Sequence, residues 1–188
     1  MQLKRIFDLL ATISLLFILA LPALLIALMI KLTSKGPILF WSTRIGQYHR
    51  AFAVPKFRTM LVDTPLLATR DLMAPERYLT PIGGWLRKTS LDEIPQLWCV
   101  LTGKMSLVGP RPVIEAETEL LQLRTQYGID HMVPGLTGWA QVNGRDFLSV
   151  QEKIQYEREY MQKQSLGFDL KIIAITFWKV VFAHDVLH

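Results

Sequence analysis

Asp92 and Glu93 stand side by side within Thr89–Pro112, TSLDEIPQLWCVLTGKMSLVGPRP. Ser90, followed three residues later by Glu93, has the form of a capping box and predicts a helix start. Both acids then fall in or beside a first turn, where backbone N–H groups are unpaired and the dipole end is positive. Pro95 is tolerated only near such a turn, so the cap position stays open. First-turn acids ordinarily balance the dipole and do nothing more. The sharper chemistry is phosphoryl transfer: a carboxylate attacks phosphorus and forms an acyl phosphate, which divides one difficult displacement into two. Carboxylate and diphosphate repel each other, so a cation must lie between them. Mg²⁺ suits this, because it binds through one or two carboxylates plus substrate phosphates, which makes Asp92 and Glu93 candidate metal ligands as well. Further along, Gly109-Pro110-Arg111-Pro112 stiffens the backbone around an arginine, the residue type that holds a phosphate with two hydrogen bonds.

Such chemistry needs elements that bring charge and shape to the acids. Arg87 and Lys88 precede them closely and would help keep Asp92 ionised. Ala51–Met60, AFAVPKFRTM, reads as a short extended piece, with Pro55 restricting its neighbour. Its Lys56 and Arg58 can meet phosphates or lipid headgroups, although spacing alone makes them ordinary solvated charges. Gly36-Pro37-Ile38-Leu39-Phe40 begins a turn and then a strand. Val62–Pro81 is broken by Pro65, Pro75 and Pro81 and reads as a loop or flap. Val113–Tyr127 has leucines at helical spacing and predicts a surface helix, stopped at Gly128. Val133–Arg145, VPGLTGWAQVNGR, carries the turn signals Pro134-Gly135 and Asn143-Gly144 and predicts a shaped loop or hairpin rather than a helix. Its Trp139 is either a platform for a base or core filler. Leu148–Gln164 is polar and helix-prone. Phe168–Val186 is apolar but interrupted by charges, and reads as an interfacial or a buried helix; His184 and His188 belong to a loose tail.

The 188 residues favour a single domain with a respectable core. Hydrophobic residues make up 51% and mean hydropathy is +0.26, which points toward lipid. The net charge of +5 suits an anionic membrane surface or nucleic acid; no zinc-finger, RNP or basic-zipper pattern supports the latter. A lone Cys99 excludes an intrachain disulfide and fits a reducing compartment. Leu9–Ile30 is uncharged and about the length of a membrane-spanning helix. Pro22 inside it favours a kink. Lys4 and Arg5 lie before it, with Lys31, Lys35 and Arg44 after. A spanning helix shows such residues mainly on the cytoplasmic side, so basic flanks at both ends suit a helix that enters, bends and returns to the same face.

LDEIPQLW followed by GKMSLVGPRP, together with KFRTM and PGLTGWAQVNGR in that order after an apolar N-terminal run, resembles the bacterial sugar transferases that are monotopic phosphoglycosyl transferases. The resemblance covers nearly the whole chain. It implies an α+β fold: a re-entrant helix-break-helix over 1–35, with Leu21 where many members carry serine, and a catalytic domain with short strands and amphipathic interfacial helices over 36–188. It implies transfer of a sugar-1-phosphate from a UDP-sugar to polyprenol phosphate with release of UMP, at the cytoplasmic face of a bacterial inner membrane. Asp92 would be the nucleophile, with Glu93 assisting and Mg²⁺ as cofactor. Arg111 would hold a phosphate, and Gln141, Asn143 and Arg145 would contact the nucleotide-sugar. With no further spans visible, the chain reads as a minimal catalytic unit; a homodimer is left open, as is the sugar. Two other classes match in part. A CDP-dependent phosphatidyl-type transferase should carry a dense aspartate motif, which is missing. A non-catalytic membrane adaptor explains the apolar run and the charge but not the LDE and PRP motifs.

Overall fold

The structure is a computed structural model that describes residues 2–65, 74–144 and 147–181. Helix α1, Gln2–Thr33, is built from leucine, isoleucine and alanine, of which leucine and alanine are strong helix formers. The assigned helix runs through Pro22 rather than stopping there, which differs from the helix-break-helix expectation. Its 32 residues amount to about 48 Å of helix. Its buried residues, Asp8, Thr12, Ile26 and Ile30, cluster toward the two ends, whereas Phe17 near the middle is 86% exposed. The helix is long and apolar enough to cross a membrane, and only 11% of its most apolar window is buried inside the protein. That sets it apart from the core helix of a soluble domain.

Strands β1 (Leu39–Ile45) and β2 (Ala51–Phe57) form an antiparallel pair in register from Leu39↔Phe57 to Ile45↔Ala51. Pro55 is tolerated because β2 is the edge of a two-stranded sheet. Helix α2 (Gly83–Lys88) leads into a 3₁₀ turn, Leu91–Gln96, and directly on into α3 (Leu97–Leu101). Of the expected flap, 66–73 lie outside the described residues; its remainder is pinned by a bridge between Met60 and Leu79.

Strand β3 (Ser106–Val108) pairs in parallel with β4 (Gly135–Thr137). Parallel strands need a crossover, and 109–134 supply it, including helix α4 (Thr118–Gln126). This helix starts later than its leucine spacing predicts, because the Val113 carbonyl already accepts from Ile45 N at 2.8 Å. Gly128 ends the segment with φ of 71°, as expected. The loop expected over 133–145 is instead β4 followed by a helical turn, α5 (Trp139–Val142). Helix α6 (Val150–Lys163) carries a capping box at Ser149 and Glu152, and α7 (Leu166–Val181) follows. His184 and His188 lie outside the described residues.

The arrangement is α+β. The main core gathers Leu86, Leu97, Val100, Leu107, Val108 and Ile172 with Ile26 and Ile30 of α1. A smaller cluster of Val113, Leu120, Ile129 and Ile154 seats α4 against α6.

Candidate active site

Asp92 and Glu93 sit in the 3₁₀ turn ahead of α3. The predicted capping box does not form. Ser90 takes a left-handed conformation at φ 55° and its side chain caps nothing. The Glu93 carboxylate instead receives Lys56 Nζ at 2.7 Å, so a cross-element ion pair has displaced a local backbone contact. The same Nζ lies 3.6 Å from Asp92 Oδ2. Strand β2 is thus what presents a cation to both acids.

Asp92 is 5% exposed. Burial pushes its carboxyl above the usual range; Lys56 and Arg87 pull it down and Glu93 pushes it up, but burial prevails. Arg87 of α2 is itself lowered by burial, against which Asp92 acts, and its Nε donates to Thr59 Oγ1 at 2.9 Å. Asp92 Oδ1 is buried and has no hydrogen-bond partner among the described residues. A buried acceptor left open is costly unless a ligand completes it. No group of three or more metal-ligating side chains occurs among the described residues. Two adjacent carboxylates with one open oxygen are therefore compatible with Mg²⁺, an ion that takes few protein ligands and completes its shell with water and phosphate.

Arg58 does not accompany Lys56. Its guanidinium donates to Ser34 Oγ at 2.8 Å, to Ser34 O at 3.2 Å and to Lys35 O, tying the end of α1 to the end of β2. Arg111 lines a concavity of about 430 Å³, open to solvent, with Arg44, Arg124, Gln141, Lys153 and Glu157. Arg124 is committed to Glu157, with Nε–Oε2 at 2.8 Å and Nη2–Oε1 at 2.5 Å. The Arg111 and Lys153 side chains have no hydrogen-bond or ion-pair partner among the described residues, and Gln141 Oε1 is buried without one. This concavity is basic, and Asp92, Glu93 and Lys56 do not line it. Arg44 and Lys153 were not singled out as site residues from sequence. Lys153 looks like any lysine on a charged helix, and only the packing of α6 against α5 brings it beside Gln141.

Asn143 Nδ2 donates to Trp139 O at 2.7 Å, closing the end of α5. Trp139 lies among aromatic rings of α6 and α7, 5.0 Å from Phe168 and edge-on to Tyr156, with Nε1 bonded to Glu159 Oε2 at 2.8 Å. Of the two readings of Trp139, core filler is the one its surroundings match. Arg145 lies outside the described residues.

The segment before Arg111 and the strand before Gln141 meet backbone to backbone. Gly109 N donates to Thr137 O at 2.9 Å and Gly135 N to Pro110 O at 2.8 Å. A Cβ on Gly135 would lie 2.0 Å from Gly109 N, and one on Gly138 2.1 Å from Gly109 O, so only glycine permits this approach.

The fold and site together describe an α+β body with an apolar N-terminal helix and a lysine-braced carboxylate pair at the head of a short helix. The chain belongs to the bacterial sugar transferase family, whose profile matches residues 1–183. It is 43% identical to an undecaprenyl-phosphate glucose phosphotransferase of Komagataeibacter xylinus, over 97% of this chain and 36% of that protein. It is 41% identical to a UDP-glucose:undecaprenyl-phosphate glucose-1-phosphate transferase of Escherichia coli (strain K12), over 94% of this chain and 40% of that protein. To an uncharacterized sugar transferase, EpsL, of Bacillus subtilis (strain 168) the identity is 38%, over 99% of this chain and 91% of the relative. The chain thus spans about two fifths of the length of the first two relatives.

Proposed function

We propose that the protein transfers a sugar-1-phosphate from a UDP-sugar to polyprenol phosphate, with release of UMP. The observation that carries this reading is the buried Asp92 with its open Oδ1, flanked by Lys56. An Asp92 carboxylate oxygen attacks the phosphorus that bears the sugar. The bond from that phosphorus to the oxygen bridging the α-phosphate breaks, and UMP departs with the electron pair. An oxygen of polyprenol phosphate then attacks the same phosphorus, the acyl-phosphate bond breaks, and the carboxylate is restored. Burial favours the protonated acid, so Lys56 and Arg87 are needed to keep a share of Asp92 ionised. Asp92 and Glu93 would hold Mg²⁺, which when bound supplies charge neutralisation for the diphosphate. Arg111, Lys153 and Gln141, with Asn143 and Arg145 nearby in sequence, form the basic surface proposed for the nucleotide. The substrate class comes from the names of the relatives.

The membrane arrangement is part of the same proposal. Both ends of α1 are tied to one body: Asp8 Oδ2 accepts from Ser106 Oγ at 2.8 Å near its start, and Ser34 meets Arg58 just beyond its end. The exposed apolar middle between them supports a helix that, bending at Pro22, dips into the bilayer and returns, leaving the site on the cytoplasmic face of the bacterial inner membrane. Exposed Trp85, Trp98, Phe177 and Trp178 are residues suited to an interface. Incubating the purified protein with candidate UDP-sugars, Mg²⁺ and undecaprenyl phosphate tests the function: UMP release and a phosphosugar mass adduct that is absent in Asp92→Asn are expected. Product formation with no adduct under single-turnover conditions would overturn the covalent route.

A further inference from the structure

The first described turn of α1 holds two basic residues, Lys4 and Arg5, and no acid. A positive charge gains nothing from its own helix dipole at that end, and neither residue serves its own helix. Lys4 Nζ pairs with Asp169 of α7 at 2.6 Å. Arg5 reaches α3 instead: Nη1 donates to Val100 O at 2.6 Å and Nη2 to Leu101 O at 2.8 Å. These carbonyls lie at the C-terminal end of α3, where a cation is favoured; Val100 O also accepts from Gly103 N at 3.1 Å. The two-pronged contact uses a geometry that lysine cannot reproduce.

Helix α3 has only five residues and continues without interruption from the 3₁₀ turn that bears Asp92 and Glu93. A helix this short does not support itself and takes its position from what it touches. Its buried side chains, Leu97, Cys99 and Val100, resist lateral movement, and Arg5 grips its far end. Displacement of that end along or about the helix axis would carry Asp92 and Glu93 with it, away from Lys56 on β2. A shift of about 1 Å in a reacting group costs on the order of 100-fold in rate.

We propose that Arg5 is a positioning residue for the carboxylate pair: by holding the Val100 and Leu101 carbonyls it links the seating of the apolar helix α1 to the placement of Asp92 and Glu93 against Lys56. The catalytic consequence rests on the phosphoryl-transfer reading above; the positional one does not. Arg5→Ala, Arg5→Lys and Lys4→Met are compared with the unaltered chain in lipid nanodiscs, by the steady-state kinetics of UMP release and by amide hydrogen exchange. Arg5→Ala should lower kcat about 10- to 100-fold with little change in donor KM. It should also speed exchange across 91–101. Arg5→Lys should recover part of each change, and Lys4→Met should lower thermal stability while leaving kcat and the exchange across 91–101 in place. Wild-type kcat in a folded Arg5→Ala would overturn the inference, as would Lys4→Met reproducing both changes. If no UDP-sugar supports turnover by the unaltered chain, the functional reading fails by itself. Unchanged exchange across 91–101 in Arg5→Ala then overturns the positional claim independently.

Discussion

Asp92→Asn should abolish turnover and at the same time stabilise the fold at neutral pH. Asp92 is buried and its carboxyl is raised, with desolvation the largest cause. A group whose folded-state value lies above its unfolded one contributes stability while protonated and loses it as pH rises through the folded value. Wherever Asp92 is ionised it is therefore a cost to the folded state. Lys56 offsets part of that cost: at 3.6 Å its attraction is about 4–5 kcal/mol at an effective dielectric near 20, before screening. Burial nonetheless prevails, because Lys56 is engaged more closely by Glu93 and Asp92 Oδ1 has no hydrogen-bond partner among the described residues. Asparagine has nearly the same volume and no charge to desolvate. Its stability gain should grow as pH rises through the folded-state value and fade as pH falls back below it. An amide is no phosphoryl nucleophile, so UMP release should fall by at least about 10⁴-fold, the scale of nucleophile loss in other covalent enzymes. Thermal unfolding in detergent across pH, beside a UMP assay on the same samples, reads both effects. A variant destabilised at pH 8, or one that keeps turning over, would refute the reasoning.

Other outcomes follow from single contacts. Arg124→Met leaves Glu157 buried without its cation and should cost about 3–5 kcal/mol in denaturant unfolding; the Arg124→Met, Glu157→Met double variant should recover most of it. Gly135→Ala has no room for its methyl against Gly109 N and should lower expression of folded protein, whereas Gly167→Ala, with open space around it, should not. Ser149→Ala removes the cap of α6 and should cost about 1 kcal/mol, read as a lower unfolding midpoint. Chelation by EDTA should stop UMP release and added Mg²⁺ should restore it; activity that persists in EDTA would remove the metal from the proposal.

The sequence alone carried what depends on chain-local physics. Leu9–Ile30 has to be an apolar helix wherever it lies, because composition and length decide that. The Asp92–Glu93 pair and the Gly-Pro-Arg-Pro turn are legible as types, and turn residues and local composition located both strands of the β1–β2 pair and helices α6 and α7. Three matters were settled only by contacts between distant residues. Glu93 abandons Ser90 for Lys56, 37 positions away, because a 2.7 Å ion pair outweighs a local cap. Arg58 turns from the acids to the end of α1, where open carbonyls await a donor. The motifs around Gly109 and Gly135 become one parallel pair because glycine lets two backbones touch, and no periodicity in either segment announces a partner. Local propensity sees about one helical turn in each direction, whereas an active site is assembled by packing across the whole chain. Residue types were therefore readable beforehand, and their partners were decided by the tertiary fold.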